Sequence, residues 1–189
     1  MKLIFGLGNP GKEYNKTRHN VGFMILDYFL GEVKWQKKHE SLFFEMQINE
    51  EKVVFIKPQT YMNLSGKSVL RFIKYYKVPL ENILVIHDDL DLDVGRYKIK
   101  TDSGSGGNNG INSIIEHLKT KKFSRLKVGI SNNKLVDTRD FVLSKFNKTE
   151  MLELENIFEK AKNIIKTFCE SDIEGVLDRL SIEEKNEIS

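Results

Sequence analysis

The chain has 189 residues, of which 40% are apolar and 30% charged, with a formal net charge of +3. This length suits one domain with a full core, and the composition excludes both a disordered chain and a membrane-embedded one. Cys169 is the single cysteine, so no internal disulfide forms; with no long apolar N-terminal segment, the expected setting is reducing and cytoplasmic. Taken in chain order, a strand is expected over residues 2–7, followed by a helix over 21–33. That helix contains the longest apolar stretch, which is broken by Gly22, Asp27 and Tyr28 and falls short of the roughly 20 residues a bilayer span needs. Strands at 42–48 and 53–56, joined by Asn49-Glu50-Glu51-Lys52, read as an antiparallel hairpin. A helix over 64–77, strands at 83–86 and 96–100, a helix over 112–119 and a strand at 126–130 follow. Residues 131–148 show little regular pattern and are expected to form a mobile lid. Met151, Leu154, Phe158, Ala161, Ile165 and Phe168 then recur at steps of three and four, marking an amphipathic helix over about 149–170. The alternation predicts one α/β domain over 1–189, with a central mixed, largely parallel twisted sheet flanked by helices.

Seven of the thirteen glycines fall in two short loops, Gly6 to Gly11 and Gly104 to Gly110. Glycine permits close approach of a ligand, and ligands of open α/β sheets gather beyond the carboxyl ends of strands. Gly6-Leu7-Gly8-Asn9-Pro10-Gly11 matches the dinucleotide fingerprint in letters only, because Lys12 to Asn20 is polar and aperiodic where a helix should open. Gly66-Lys67-Ser68 lacks the first glycine of a P-loop, since position 61 is Tyr61. The acidic run Asp88 to Asp93 fails as a calcium loop, because counted from Asp89 it has Val94 and Lys100 at positions 6 and 12, where glycine and glutamate are required. His19, His39, His87 and His117 show no zinc spacing, and no G-x-S-x-G elbow is present. Neither a metal nor a cofactor is therefore expected.

A set of polar residues at strand ends remains: Asn9 after the first strand, His19 ahead of the first helix, Asn63 at the start of the second, Asp88 after strand 83–86 and Asn109 in the second glycine loop. Histidine is the side chain best suited to take a proton near neutrality, and an aspartate on its second nitrogen would fix the tautomer. Asparagine amides would hold a carbonyl or a developing oxyanion without adding charge. A purely structural account competes: Asn63 as a helix N-cap, Asp88 as a turn residue, Asn109 as a left-handed turn residue and His19 as a surface histidine.

The same residues lie in blocks that resemble the bacterial-type peptidyl-tRNA hydrolase family. The blocks are Gly6 to Gly11, Tyr14 with Thr17-Arg18-His19-Asn20-Val21-Gly22, Lys57 to Lys67, His87 to Asp91, Gly106 to Gly110, Arg125 to Ile130 and Phe141-Val142-Leu143, in order across residues 1–146. The resemblance implies hydrolysis of the ester joining an N-blocked peptide to the 3′ ribose of tRNA, which recycles tRNA from aborted translation. It further implies that His19 is the general base, that Asp88 holds it in the basic form, and that Asn9 contacts the peptide. By the same token Tyr14, Tyr61, Met62, Asn63 and Asn109 contact the tRNA end or substrate. Peptidyl-tRNA would be the partner of a cytoplasmic monomer needing no metal, cofactor or membrane. The chain departs from the family at Ser105, Asn108 and Asn112, where the family has histidine, histidine and a basic residue.

The charge, divided along the chain, bears on the substrate. Residues 1–150 hold 25 Lys+Arg against 17 Asp+Glu, a net of +8, while residues 151–189 hold 5 against 10, a net of −5. A body of +8 would attract RNA, although a solvated lysine-rich surface accounts for it equally. Lys98, Lys100, Arg125 and Lys127 are the candidates for the RNA backbone. An RNA-binding module without catalysis, and more distantly a nucleotide-dependent enzyme, are the alternatives.

Overall fold

The computed structural model describes residues 1–132 and 137–188. Its centre is a seven-stranded sheet in the order β2-β3-β4-β1-β5-β7-β6. The strands are β1 Lys2–Gly6, β2 Gln36–Lys38, β3 Ser41–Ile48, β4 Glu51–Pro58, β5 Ile83–Asp93, β6 Tyr97–Lys100 and β7 Ser124–Ser131. The four central strands β4, β1, β5 and β7 are parallel, and β2, β3 and β6 join the edges antiparallel. The sheet is mixed with a parallel centre, as the alternation of elements predicts. The helices are α1 Val21–Leu30, α2 Ser65–Tyr76, α3 Asn109–Leu118, α4 Thr138–Val142, α5 Lys148–Glu170 and α6 Ile173–Ile188.

Because neighbouring residues on a strand point to opposite faces, the central strands are apolar throughout and feed two cores. Ile4, Phe55, Leu84 and Ile86 pack toward Leu26 of α1 and Phe158, Ile165 and Phe168 of α5. Leu3, Phe5, Val54, Ile56 and Val85 face Val69 and Phe72 of α2 and Ile111 and Ile114 of α3. α5 opens with a reciprocal capping box between Asn147 and Glu150, which places its start near the expected residue 149. The buried Lys2 donates to the carbonyl oxygens of Phe168 and Ser171 at the other end of α5, where a cation complements the helix dipole.

Some expectations needed revision. α1 ends at Leu30 because Gly31, at φ 67°, turns the chain away. The acidic run after Ile86 is not a turn: β5 continues to Asp93 and pairs with β7 through a register shift. The short edge strand β2 and the helix α6 carried no clear period in the sequence. The lid expected over 131–148 falls partly on residues 133–136, which lie outside the described residues; the remainder forms the end of β7, α4 and the start of α5. No helix among the described residues is long and apolar enough to cross a membrane.

Candidate active site

All four parallel strands run the same way, so the segments that leave β1, β4, β5 and β7 emerge along one edge of the sheet. The chain crosses first from β1 to β4 and later to β5 on the opposite side, making β1 the switch point where open sheets form a crevice. A cleft of about 740 Å³ lies there, lined by Asn9, His19, Tyr61, Met62, Asn63, Asp88, Asn108 and Asn109, with Thr138, Arg139, Val142 and Leu143 of the α4 region as its far wall. The fold thus gathers residues that are up to 134 positions apart in the chain.

His19 sits in a 3-10 turn, Arg18–Asn20, that leads straight into α1. Gly22 makes this placement possible: a Cβ there would stand 2.5 Å from the Ile86 carbonyl oxygen and 2.5 Å from the Leu7 nitrogen, so only a glycine lets the helix start press onto the end of β1 and the adjoining part of β5. Both neighbours of His19 are pinned. Arg18 spans to both carboxylate oxygens of Glu150 at 3.0 and 2.9 Å, to Ser144 Oγ at 3.0 Å and to the Ile130 carbonyl at 3.2 Å, with its guanidinium against the rings of Phe141 and Phe146. The Asn20 amide accepts from the Asn9 backbone N–H at 2.8 Å and donates to the Asn9 carbonyl at 3.0 Å.

The His19 Nδ1 meets Asp88 Oδ2 at 2.7 Å, in a site where His19 is 8% and Asp88 2% exposed. An ionised carboxylate only accepts, so Nδ1 carries the proton and the Nε2 lone pair is left to the cleft. Burial is the largest influence on the His19 pKa and lowers it, but the charge of Asp88 and its hydrogen bond together outweigh burial, and the net direction is upward from 6.5. Asn108, the N-cap of α3, donates from Nδ2 to Asp88 Oδ1 at 3.0 Å.

Asn9 is buried, and its Oδ1 accepts the Met62 backbone N–H at 2.7 Å. That bond fixes the amide's orientation and presents Nδ2 as the donor. Tyr61 is 52% exposed with a backbone at φ 61° and ψ 158°, a region that costs most side chains of order 1–3 kcal/mol and is met chiefly at functional sites. Tyr14 does not line the cleft; its ring stands edge-on to Tyr61 with centroids 6.3 Å apart.

The structural alternatives for three residues fail. Asn63 is not a helix cap, since α2 is preceded by Leu64 without a side-chain cap and Asn63 is exposed in the turn before it. Asn109 is the first residue of α3 rather than a left-handed turn residue, and His19 is buried rather than at the surface. Of the candidates for the RNA backbone, Lys98 and Lys100 are exposed on β6, and Lys127 pairs with Asp89 at 2.9 Å. Arg125 has to be withdrawn: it is 0% exposed, stacks on Phe123, and donates to Ser103 Oγ, the Gly104 carbonyl and the Lys121 carbonyl, where it props the second glycine loop. Sequence reasoning missed the structural work of Arg18, Asn20 and Asn108. Their proximity to His19 and Asn109 was the one available signal.

Fold and site together define an α/β protein with a strand-end cleft equipped for base chemistry on a carbonyl-bearing ligand: an imidazole whose far nitrogen is held by a carboxylate, beside an amide donor. A family model described as peptidyl-tRNA hydrolase matches residues 3–188. The peptidyl-tRNA hydrolase of Phytoplasma mali is 43% identical over 174 residues, covering 90% of this chain and 99% of that protein. That of Listeria monocytogenes is 38% identical over 182 residues, covering 95% and 98%. The crystal structure of peptidyl-tRNA hydrolase from Acinetobacter baumannii superposes with a TM-score of 0.84 at 33% identity, covering 90% of this chain and 89% of that one. The chain belongs to the peptidyl-tRNA hydrolase family.

Proposed function

We propose that this protein hydrolyses the ester between an N-blocked peptide and the 3′ ribose of tRNA, releasing peptide and free tRNA for reuse in translation. The observation that carries the reading is the 2.7 Å contact of His19 with Asp88 inside the cleft of a chain of this family. His19 Nε2 takes a proton from water as the oxygen attacks the ester carbonyl, and Asp88 stabilises the imidazolium that forms. Asn9 Nδ2 contacts the peptide carbonyl, and an ester whose amine is blocked fits that contact. The imidazolium then returns its proton to the departing 3′ oxygen. Tyr61, Met62, Asn63 and Asn109 hold the tRNA end, and Tyr14, outside the cleft, supports the Tyr61 ring. The enzyme acts in the cytoplasm as a monomer, and the ester is activated enough for base-assisted water to suffice without metal or covalent nucleophile.

The test is the release of N-acetylated amino acid from tRNA, run beside unblocked aminoacyl-tRNA. Release from the blocked substrate alone is expected; no release from either overturns the reading. His19→Ala should lower turnover by about 10²–10⁴-fold, the usual worth of a general base, while tRNA affinity stays within a few fold.

A further inference from the structure

Asp88 is 2% exposed, so both of its carboxylate oxygens have left water. A buried anionic oxygen without a donor is costly, and His19 satisfies only Oδ2. The other oxygen, Oδ1, receives Asn108 Nδ2 at 3.0 Å, and the same nitrogen lies 3.2 Å from the Asp88 carbonyl. At its other end the Asn108 amide accepts the Ile111 backbone N–H at 3.0 Å as the N-cap of α3. Reversing the amide would set NH2 against the Ile111 N–H and oxygen against the carboxylate, so its orientation is fixed from both sides. One side chain therefore couples the start of a helix to the rotation of a carboxylate.

We propose that Asn108 is a positioning residue for the His19–Asp88 pair, holding the Asp88 carboxylate in the rotation that keeps Oδ2 on His19 and tying that rotation to the N-terminus of α3. The inference rests on His19 and Asp88 being the reacting pair. An amide does not titrate near neutrality, so this support is the same on both sides of the His19 titration. The other ionisable groups around the pair are His87 and Asp89 on β5, Arg125 and Lys127 on β7, and Asp137 and Arg139 across the cleft.

Two variants separate the clamp from the cap. Asn108→Ser keeps an oxygen for the Ile111 N–H, since serine is among the best N-caps, but its hydroxyl is too short to reach Asp88 at the same time. Asn108→Ala loses both. In the release assay with N-acetylated aminoacyl-tRNA, Asn108→Ser should lose about tenfold in kcat, the usual worth of a hydrogen bond to a charged group, with KM unchanged. The acid limb of its pH profile should move to lower pH, because a carboxylate no longer held in place supports the imidazolium less and burial then dominates. The NMR titration of the His19 imidazole should move with it. Asn108→Ala should show the same displacement and melt a few degrees lower. An Asn108→Ser protein with wild-type kcat, acid limb and imidazole titration overturns the proposal. A raised KM with those three unchanged makes Asn108 a ligand contact and overturns it as well. If the wild-type protein releases no product, the proposed function fails, and the imidazole titration by itself decides the role of Asn108.

Discussion

Two histidines 68 residues apart in the chain meet opposite electrostatic fates in neighbouring positions of the fold. His19 has a carboxylate on its Nδ1, and its pKa is raised above 6.5 against the pull of burial. Only the neutral imidazole accepts a proton, so kcat/KM, which reports the free enzyme, should rise with pH through an inflection above 6.5; an inflection at or below 6.5 would refute the pairing. Because the folded value is raised, the stability contributed by this group is complete below pH 6.5 and is lost as pH rises through the folded value. His87 is fully buried, its Nε2 has no partner among the described residues, and burial lowers its pKa to about 4. Here the unfolded chain binds the extra proton, so stability is complete above pH 6.5 and is lost as pH falls toward 4, by roughly 3 kcal/mol for this group. Urea unfolding at pH 7, 5.5 and 4.5 should show the loss, and His87→Gln should remove that part of the slope.

At the scale of elements, the site depends on how α1 and α4 are tied to the sheet. Arg18 and Glu150 form a buried ion pair at 2.9 Å that joins the turn before α1 to the first turn of α5, and the bonds of Arg18 to Ser144 and Ile130 bring in the segment beside α4. Removing one partner leaves the other charge buried, at a cost of about 3–5 kcal/mol. Glu150→Ala should therefore unfold at markedly lower urea, and its kcat should fall as well because Arg18 adjoins His19. Gly22→Ala tests the seating of α1. Its methyl group would collide with the backbone of Leu7 and Ile86, which gives no way to yield except by moving the helix. Overpacking of this kind costs about 1–3 kcal/mol, and since His19 rides on the same turn, kcat should drop along with the denaturation midpoint.

Over the whole molecule, charge and topology act together. The +8 segment, residues 1–150, contains every residue of the cleft, whereas the −5 segment forms most of α5 and all of α6. Lys98 and Lys100 lie exposed on β6, at the sheet edge beside the second glycine loop. The affinity for tRNA should fall steeply with salt, and Lys98→Ala or Lys100→Ala should each lower the slope of log K against log salt by about one while leaving kcat unchanged. A salt-independent affinity would contradict a backbone-tracking role for this face. Arg125→Ala should behave differently, lowering stability through the loop it supports.

What was legible in the linear chain is what depends on local pattern and residue identity. Continuous apolar runs marked the buried parallel strands, steps of three and four marked α5, and the polar residues Asn9, His19, Asn63, Asp88 and Asn109, which stood out between those patterns, line one cleft in the fold. What local pattern could not supply is every relation between distant segments. Strand order put β1 between β4 and β5, and only that order brings His19 within 2.7 Å of Asp88. Burial turned Arg125 from a surface cation into an internal strut, and it gave Asn108 a second task beyond capping a helix. Periodicity reports which face of an element is apolar, but hydrogen bonds and desolvation depend on what the fold sets against that face.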